Sequence, residues 1–123
     1  MADEAKEPQN LRTRTVDFAL RIIQLYDSLP KTPKGEIIGK QILRSGTSVG
    51  AQYREGCRAK SDPDIVNKFE GVLQELDETA YWLDVIVRSG MMSETRLQPL
   101  MAETDELISI LVTIVTKIKR RKK

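Results

Sequence analysis

The sequence predicts an all-α protein that folds as an antiparallel up-down-up-down four-helix bundle. Apolar residues recur at steps of three and four along four segments of the chain, which is the spacing of one helix face. The connections between these segments are short, and no run alternates apolar and polar residues as a strand would. A chain of 123 residues is sufficient for one domain with its own core.

The first helix is expected over residues 15–28, after a flexible leader of residues 1–11. Thr15 is assigned as its N-cap, and Asp17 falls in the first turn, where a negative charge complements the helix dipole. The segment LPKTPKG, residues 29–35, ends this helix because it holds two prolines and a glycine.

The other helices are expected at 34–58, 62–89 and 94–118, so that the bundle covers residues 12–116. Ser61 or Asp62 caps the third helix, and Pro63 occupies its first turn. Gly90 ends that helix, and Ser93 caps the fourth.

The second helix contains an unusual glycine-rich stretch, RSGTSVGAQYREG, residues 44–56. Each glycine inside a helix costs about 1 kcal/mol relative to alanine. Gly39, Gly46 and Gly50 fall on one flank of the helix, beside its core-facing side chains. A flank without side chains predicts close packing against another helix. The alternative is a helix broken at Gly46 or Gly50.

The opposite flank of the second helix is polar and predicts an ion pair with the third. If the chain turns near Lys60, Arg44 lies level with Glu75 and Glu78. We expect a structural pair between Arg44 and one of these carboxylates, since partly buried charges are normally paired. The alternative interpretation of Arg44 is a contact with an RNA phosphate.

The basic residues are concentrated at the C-terminus. The net charge is +2, but the last seven residues hold six cations and no acid, which leaves about −4 on residues 1–116. A basic tail of residues 117–123 is expected to bind nucleic acid through phosphate contacts. These cations are Lys117, Lys119, Arg120, Arg121, Lys122 and Lys123. The alternatives are a solubilising tail that complements the dipole of the fourth helix and, ranked lower, a membrane-surface anchor.

Composition argues against catalysis. The chain has no histidine and one cysteine, which removes the usual general base and the usual zinc ligand and precludes an internal disulfide. No nucleophile can be matched with a base. We therefore expect no enzyme activity, no cofactor, no metal site, no membrane segment and a cytoplasmic location.

Two blocks carry a resemblance to a known family. IGKQILRSGTSVGAQYREG, residues 38–56, and QELDETAYWLDVI, residues 74–86, resemble the four-helix-bundle family that includes the 23S rRNA intervening-sequence proteins. Gln52 departs from the asparagine common in that family. The resemblance implies a ring, usually a pentamer. More distantly, the chain is similar to the accessory variability proteins of diversity-generating retroelements, pentameric barrels that bind nucleic acid and a reverse transcriptase.

Together these observations predict a non-enzymatic oligomer that binds structured RNA through its basic tail and ring surface, with DNA as a second possible ligand. The alternative is a protein-interaction scaffold without nucleic-acid activity, including an accessory role to a reverse transcriptase.

Overall fold

A computed structural model of the protein describes residues 10–121. Within these residues the chain is all-α, as predicted, with four helices and no strand. The helices are α1 (Leu11–Ser28), α2 (Pro33–Arg58), α3 (Asp62–Arg88) and α4 (Glu94–Arg120).

Local sequence signals define the starts of three helices. Side-chain hydroxyls at the N-caps of α2, α3 and α4 accept a hydrogen bond from a backbone amide of the first turn. The bonded pairs are Thr32 with Gly35, Ser61 with Asp64, and Ser93 with Arg96. Pro33 and Pro63 follow their caps at positions where the missing amide hydrogen costs little. Gly90, with φ of 80°, follows α3 in a left-handed conformation that glycine adopts without strain.

The first helix begins four residues earlier than predicted, at Leu11. Thr15 is not its N-cap: the side chain is fully buried, and its hydroxyl donates to the Leu11 carbonyl at 2.8 Å. Leu11 is itself fully buried, so the extra turn adds a core side chain and the predicted leader ends too late. The N-cap position is Asn10, with φ of 52° and no side-chain cap. The rest of the predicted leader, residues 1–9, lies outside the described residues.

Each helix packs closely against the next one in the chain, whereas α1 and α4 make little contact. Helices α1 and α2 run in opposite directions, because Tyr26 and Thr15 of α1 lie against Gly39 and Gly50 of α2, in that order. The core is aliphatic apart from Phe18, Tyr53 and Phe69. Its fully buried large side chains include Ile22, Ile42, Leu76, Leu83, Ile86, Leu107 and Leu111.

The last helix continues into the segment predicted to be a tail. Residues 117–120 belong to α4, and Ile118 is only 7% exposed. The tail predicted over 117–123 therefore starts too early, because the apolar face of α4 continues to Ile118 and holds its neighbours in the helix. Lys122 and Lys123 lie outside the described residues. Within residues 10–121, none of the helices has the length and apolar character needed to cross a bilayer.

Candidate nucleic-acid interface

The C-terminal end of α4 carries a cluster of exposed cations. Lys117, Lys119 and Arg120 occupy its last turn, and Arg121 is the C-cap. Cations are favoured at this end of a helix, where unpaired carbonyl groups give a partial negative charge. Because the backbone of these residues is helical, their side chains project from defined positions at the end of α4.

Two of these cations are bound to α3. Lys119 donates to Glu70 at 2.9 Å, and Arg121 forms two bonds to Asp62 at 2.8 and 3.0 Å. The hydrogen bonds from Arg121 to the Asp62 carboxylate raise the pKa of the guanidinium. Within residues 10–121, Lys117 and Arg120 make no such ion pair. The charge available to an external phosphate is therefore concentrated on Lys117 and Arg120.

Lys117 also borders a groove along the C-terminal half of α4. The groove has a volume of about 640 Å³ and is lined by eight residues on one side of that helix and its cap, including Glu106, Ile110, Ile114 and Arg121. Its apolar base and basic rim combine two kinds of contact surface in one place. A phosphate backbone could meet the rim, and an apolar side chain could meet the base.

The polar flank of α2 forms the network expected around Arg44. Its guanidinium donates to Glu75 at 3.2 and 3.4 Å and to Glu78 at 2.5 Å. Gln52 donates to Glu75 at 3.1 Å, and the Trp82 indole donates to Glu78 at 3.2 Å. The Arg44 and Trp82 hydrogen bonds lower the pKa of Glu78. Arg44 is thus placed between two carboxylates, which leaves it poorly suited to bind a phosphate.

The glycine flank of α2 lies directly against α1, and the helix is unbroken through it. A β-carbon added at these positions would crowd α1 side chains, so side-chain-free positions are what permit the close packing. It would lie 2.8 Å from Tyr26 at Gly39, 2.6 Å from Ile22 at Gly46, and 3.0 Å from Thr15 at Gly50.

A buried polar contact joins α2 and α3 beneath the Arg44 network. The hydroxyls of Ser45 and Thr79, both fully buried, lie 2.8 Å apart. Thr79 donates its hydroxyl hydrogen to the Glu75 carbonyl at 2.8 Å, which leaves Ser45 as the donor to Thr79, so neither hydroxyl is left without a partner. The core spacing places both residues inside the bundle, but it does not indicate that they meet.

One ion-pair cluster has no counterpart in the sequence predictions. Arg14 of α1 donates to Glu103 at 2.7 and 3.1 Å and also bonds Glu106, both on α4. The Glu103 hydrogen bond is the largest of the effects that raise the pKa of Arg14. These residues are 89 and 92 positions apart.

The described residues contain no group of three or more histidine, cysteine, aspartate or glutamate side chains placed to hold a metal ion. Cys57 is exposed at the end of α2. The described residues offer exposed cations, a groove and structural ion pairs, which are the elements of a binding surface.

Comparisons with known proteins identify the family. The family model described as 23S rRNA-intervening sequence protein matches residues 9–113. A crystal structure from Bacteroides thetaiotaomicron, described as a protein of unknown function from the S23 ribosomal protein family, is 36% identical, with a TM-score of 0.80. That similarity covers 85% of this chain and 96% of the other. No curated protein matches the sequence. The chain therefore belongs to the family of 23S rRNA-intervening sequence proteins.

Proposed function

We propose that this protein is a non-enzymatic RNA-binding protein of the cytoplasm that contacts structured RNA through the C-terminal end of α4. The cation cluster on the last turn of α4 carries this proposal. Lys117 and Arg120 are exposed without an ion-pair partner in the described part of the chain, and the sequence adds Lys122 and Lys123 directly after them. The family description, which refers to 23S rRNA, supports RNA as the ligand.

The proposal includes assembly of an up-down-up-down bundle into a pentameric ring. Exposed apolar side chains on the outer face of α1 support a contact with another chain: Val16, Leu20 and Ile23 are 40–52% exposed and follow a helical spacing. A ring would hold five basic ends close together, so that each phosphate contact raises the local concentration of the next. Binding by the ring would exceed binding by one chain without any new kind of contact.

The burial of Ile118 determines which variant can test this site. Removal of residues 117–123 would also delete Ile118 from the core, so a charge variant is preferable. We expect Lys117→Gln combined with Arg120→Gln to weaken binding to a 23S rRNA fragment, measured by fluorescence anisotropy from low to high salt. Log affinity falls with log salt concentration, and loss of two phosphate contacts makes this negative slope shallower by roughly 1.5.

The matched control is Lys34→Gln combined with Lys40→Gln, which removes two exposed cations near the N-terminus of α2. The control should retain the affinity and the salt slope of the natural chain. Equal weakening by both variants would show a diffuse electrostatic attraction and would contradict a site on α4. Duplex DNA measured in parallel tests whether the contact requires RNA.

A second candidate function is a protein-interaction scaffold, including an accessory role to a reverse transcriptase. The apolar base of the α4 groove, with Ile110 and Ile114, and the exposed α1 stripe favour it, because such surfaces fit protein partners. Absence of RNA binding at low salt in both the natural chain and the control would favour this function over the first.

A further inference from the structure

A small cavity between α1 and the start of α4 contains two arginines. Its volume is about 180 Å³, and Arg21 and Arg96 line it together with the polar side chains of Gln24 and Ser28. The remaining lining is apolar and includes Leu25, Leu97 and Leu100. A cavity with an apolar base and a few convergent polar groups has the usual composition of a small-ligand site.

In the described part of the chain, neither arginine is neutralised by a carboxylate. Within residues 10–121, neither Arg21 nor Arg96 forms an ion pair, and no carboxylate lines the cavity. By contrast, Arg14, Arg44 and Arg121 each bond a carboxylate of another helix. Two guanidinium groups facing one cavity repel each other, and an anion between them would remove that cost.

The position of Arg96 adds to the positive potential. It is the third residue of α4, and its amide donates to the capping Ser93 hydroxyl at 3.2 Å. The N-terminal end of a helix carries a partial positive charge and favours acidic residues, so an arginine there opposes the local preference. Residues that oppose local preference are commonly explained by a ligand or a function.

The Arg96 side chain is directed by α1. Its Nη2 donates to the Ser28 hydroxyl at 3.5 Å, and that hydroxyl donates in turn to the Gln24 carbonyl at 3.0 Å. Arg21 lies seven residues before Ser28, two turns away on the same face of α1. Arg21 and Arg96 therefore line the cavity from different helices, together with Gln24.

We propose that this cavity binds a phosphate group. Guanidinium forks donate paired hydrogen bonds to phosphate oxygens, and phosphate supplies the negative charge that the cavity lacks. Free phosphate and the terminal phosphate of an oligonucleotide share this chemistry. The cavity lies at the opposite end of α4 from Lys117 and Arg120. The inference is independent of RNA binding at the C-terminal end of that helix.

The test is a titration of the full chain, followed by amide NMR, with sodium phosphate against sodium chloride at matched ionic strength and pH. We expect saturable shifts confined to residues 21–28 and 92–100. Arg21→Gln combined with Arg96→Gln should weaken phosphate binding at least tenfold, whereas Arg54→Gln combined with Arg58→Gln, an equal charge change at exposed positions of α2, should not.

The single variant Arg96→Gln, at an exposed position, provides a second measurement if the double variant is misfolded. Shifts that grow linearly with salt, or that persist in the Arg21 and Arg96 variants, would overturn the proposal. Two further ligands identify the source of the phosphate: a short oligonucleotide with a 5′-phosphate and the same oligonucleotide with a 5′-hydroxyl. Tighter binding of the 5′-phosphorylated than of the 5′-hydroxyl oligonucleotide, with the difference lost in the Arg21 and Arg96 variants, assigns a terminal phosphate. Equal binding of the two oligonucleotides, together with saturable binding of inorganic phosphate, assigns free phosphate.

Discussion

The α2–α3 and α1–α4 seams of the bundle differ in how they are closed. At the α2–α3 seam, Phe69 packs over Gly56 and stacks on Tyr53, with ring centroids 5.5 Å apart. At the α1–α4 seam, the helix backbones approach each other at few positions, and the Arg14 cluster spans a surface that also holds the proposed phosphate cavity. The difference indicates that aromatic packing and a polar rim close the first seam, whereas ion pairs and a cavity separate parts of the second.

The largest expected effect comes from removing the aromatic ring of the closed seam. Phe69→Ala should lower the free energy of unfolding by about 3–5 kcal/mol, since a ring 5% exposed is replaced by a cavity. Ile110→Ala on the open side of α4 should cost less than about 1 kcal/mol, because its side chain is only partly buried. Urea unfolding followed by circular dichroism, at several protein concentrations, measures both changes. A comparable loss for Ile110→Ala would show that this surface is covered in solution.

A smaller effect is expected where α1 contacts α2. Gly46→Ala should destabilise the fold by about 1–3 kcal/mol, because the new β-carbon would lie 2.6 Å from Ile22. In an uncrowded helix the same change would stabilise by about 1 kcal/mol. Ile22→Ala removes the crowding atoms, so a double-mutant cycle should give a double variant less destabilised than the sum of the single changes. Additive losses would contradict direct packing of α1 on this glycine.

The smallest effect concerns acid stability at the rim of the α2–α3 seam. Arg44 lowers the pKa of Glu78, so this carboxylate adds stability above its unfolded pKa, near 4.5, and the stability is lost as pH falls through the lower folded pKa. Arg44 is 51% exposed, which limits the contribution to about 1 kcal/mol or less. Between pH 6 and pH 3, Glu78→Gln should therefore lose less stability than the natural chain.

The control for this measurement is Asp105→Asn, at an exposed site of α4 without an ion pair in residues 10–121. Its unfolding free energy should follow the natural chain across the same pH range. An acid dependence of Glu78→Gln equal to that of the natural chain would show that the Arg44 pair contributes nothing to acid stability.

The four helices could be predicted from the sequence because residue spacing and helix caps are local features of the chain. The spacing of apolar residues indicated four helices, and cap chemistry located the starts of α3 and α4 at the residues observed. The start of α1 was missed because Thr15 has an N-cap side chain but uses it to bond a carbonyl inside the helix. The residue type alone does not show whether a threonine caps a helix or bonds a carbonyl inside it.

Polar contacts between consecutive helices could be predicted by counting residues from the turn that joins them, whereas contacts between distant helices could not. Arg44 could be placed beside Glu75 and Glu78 because one turn separates their helices, and residues at equal distance from it lie level. No such count relates Arg14 to Glu103, or Arg21 to Arg96, since two further helices lie between them in the chain. The contacts between α1 and α4 could therefore be identified only from the three-dimensional structure.

The order of helix packing has a consequence for how the chain reaches its native state. Each extensive seam joins two helices that are consecutive in sequence, across connections of three to five residues. Native contacts are consequently formed mostly within hairpins, and the entropy lost on closing them is small. Topologies of this low contact order fold on the microsecond-to-millisecond scale. Folding here does not depend on an early encounter between the first and last helices.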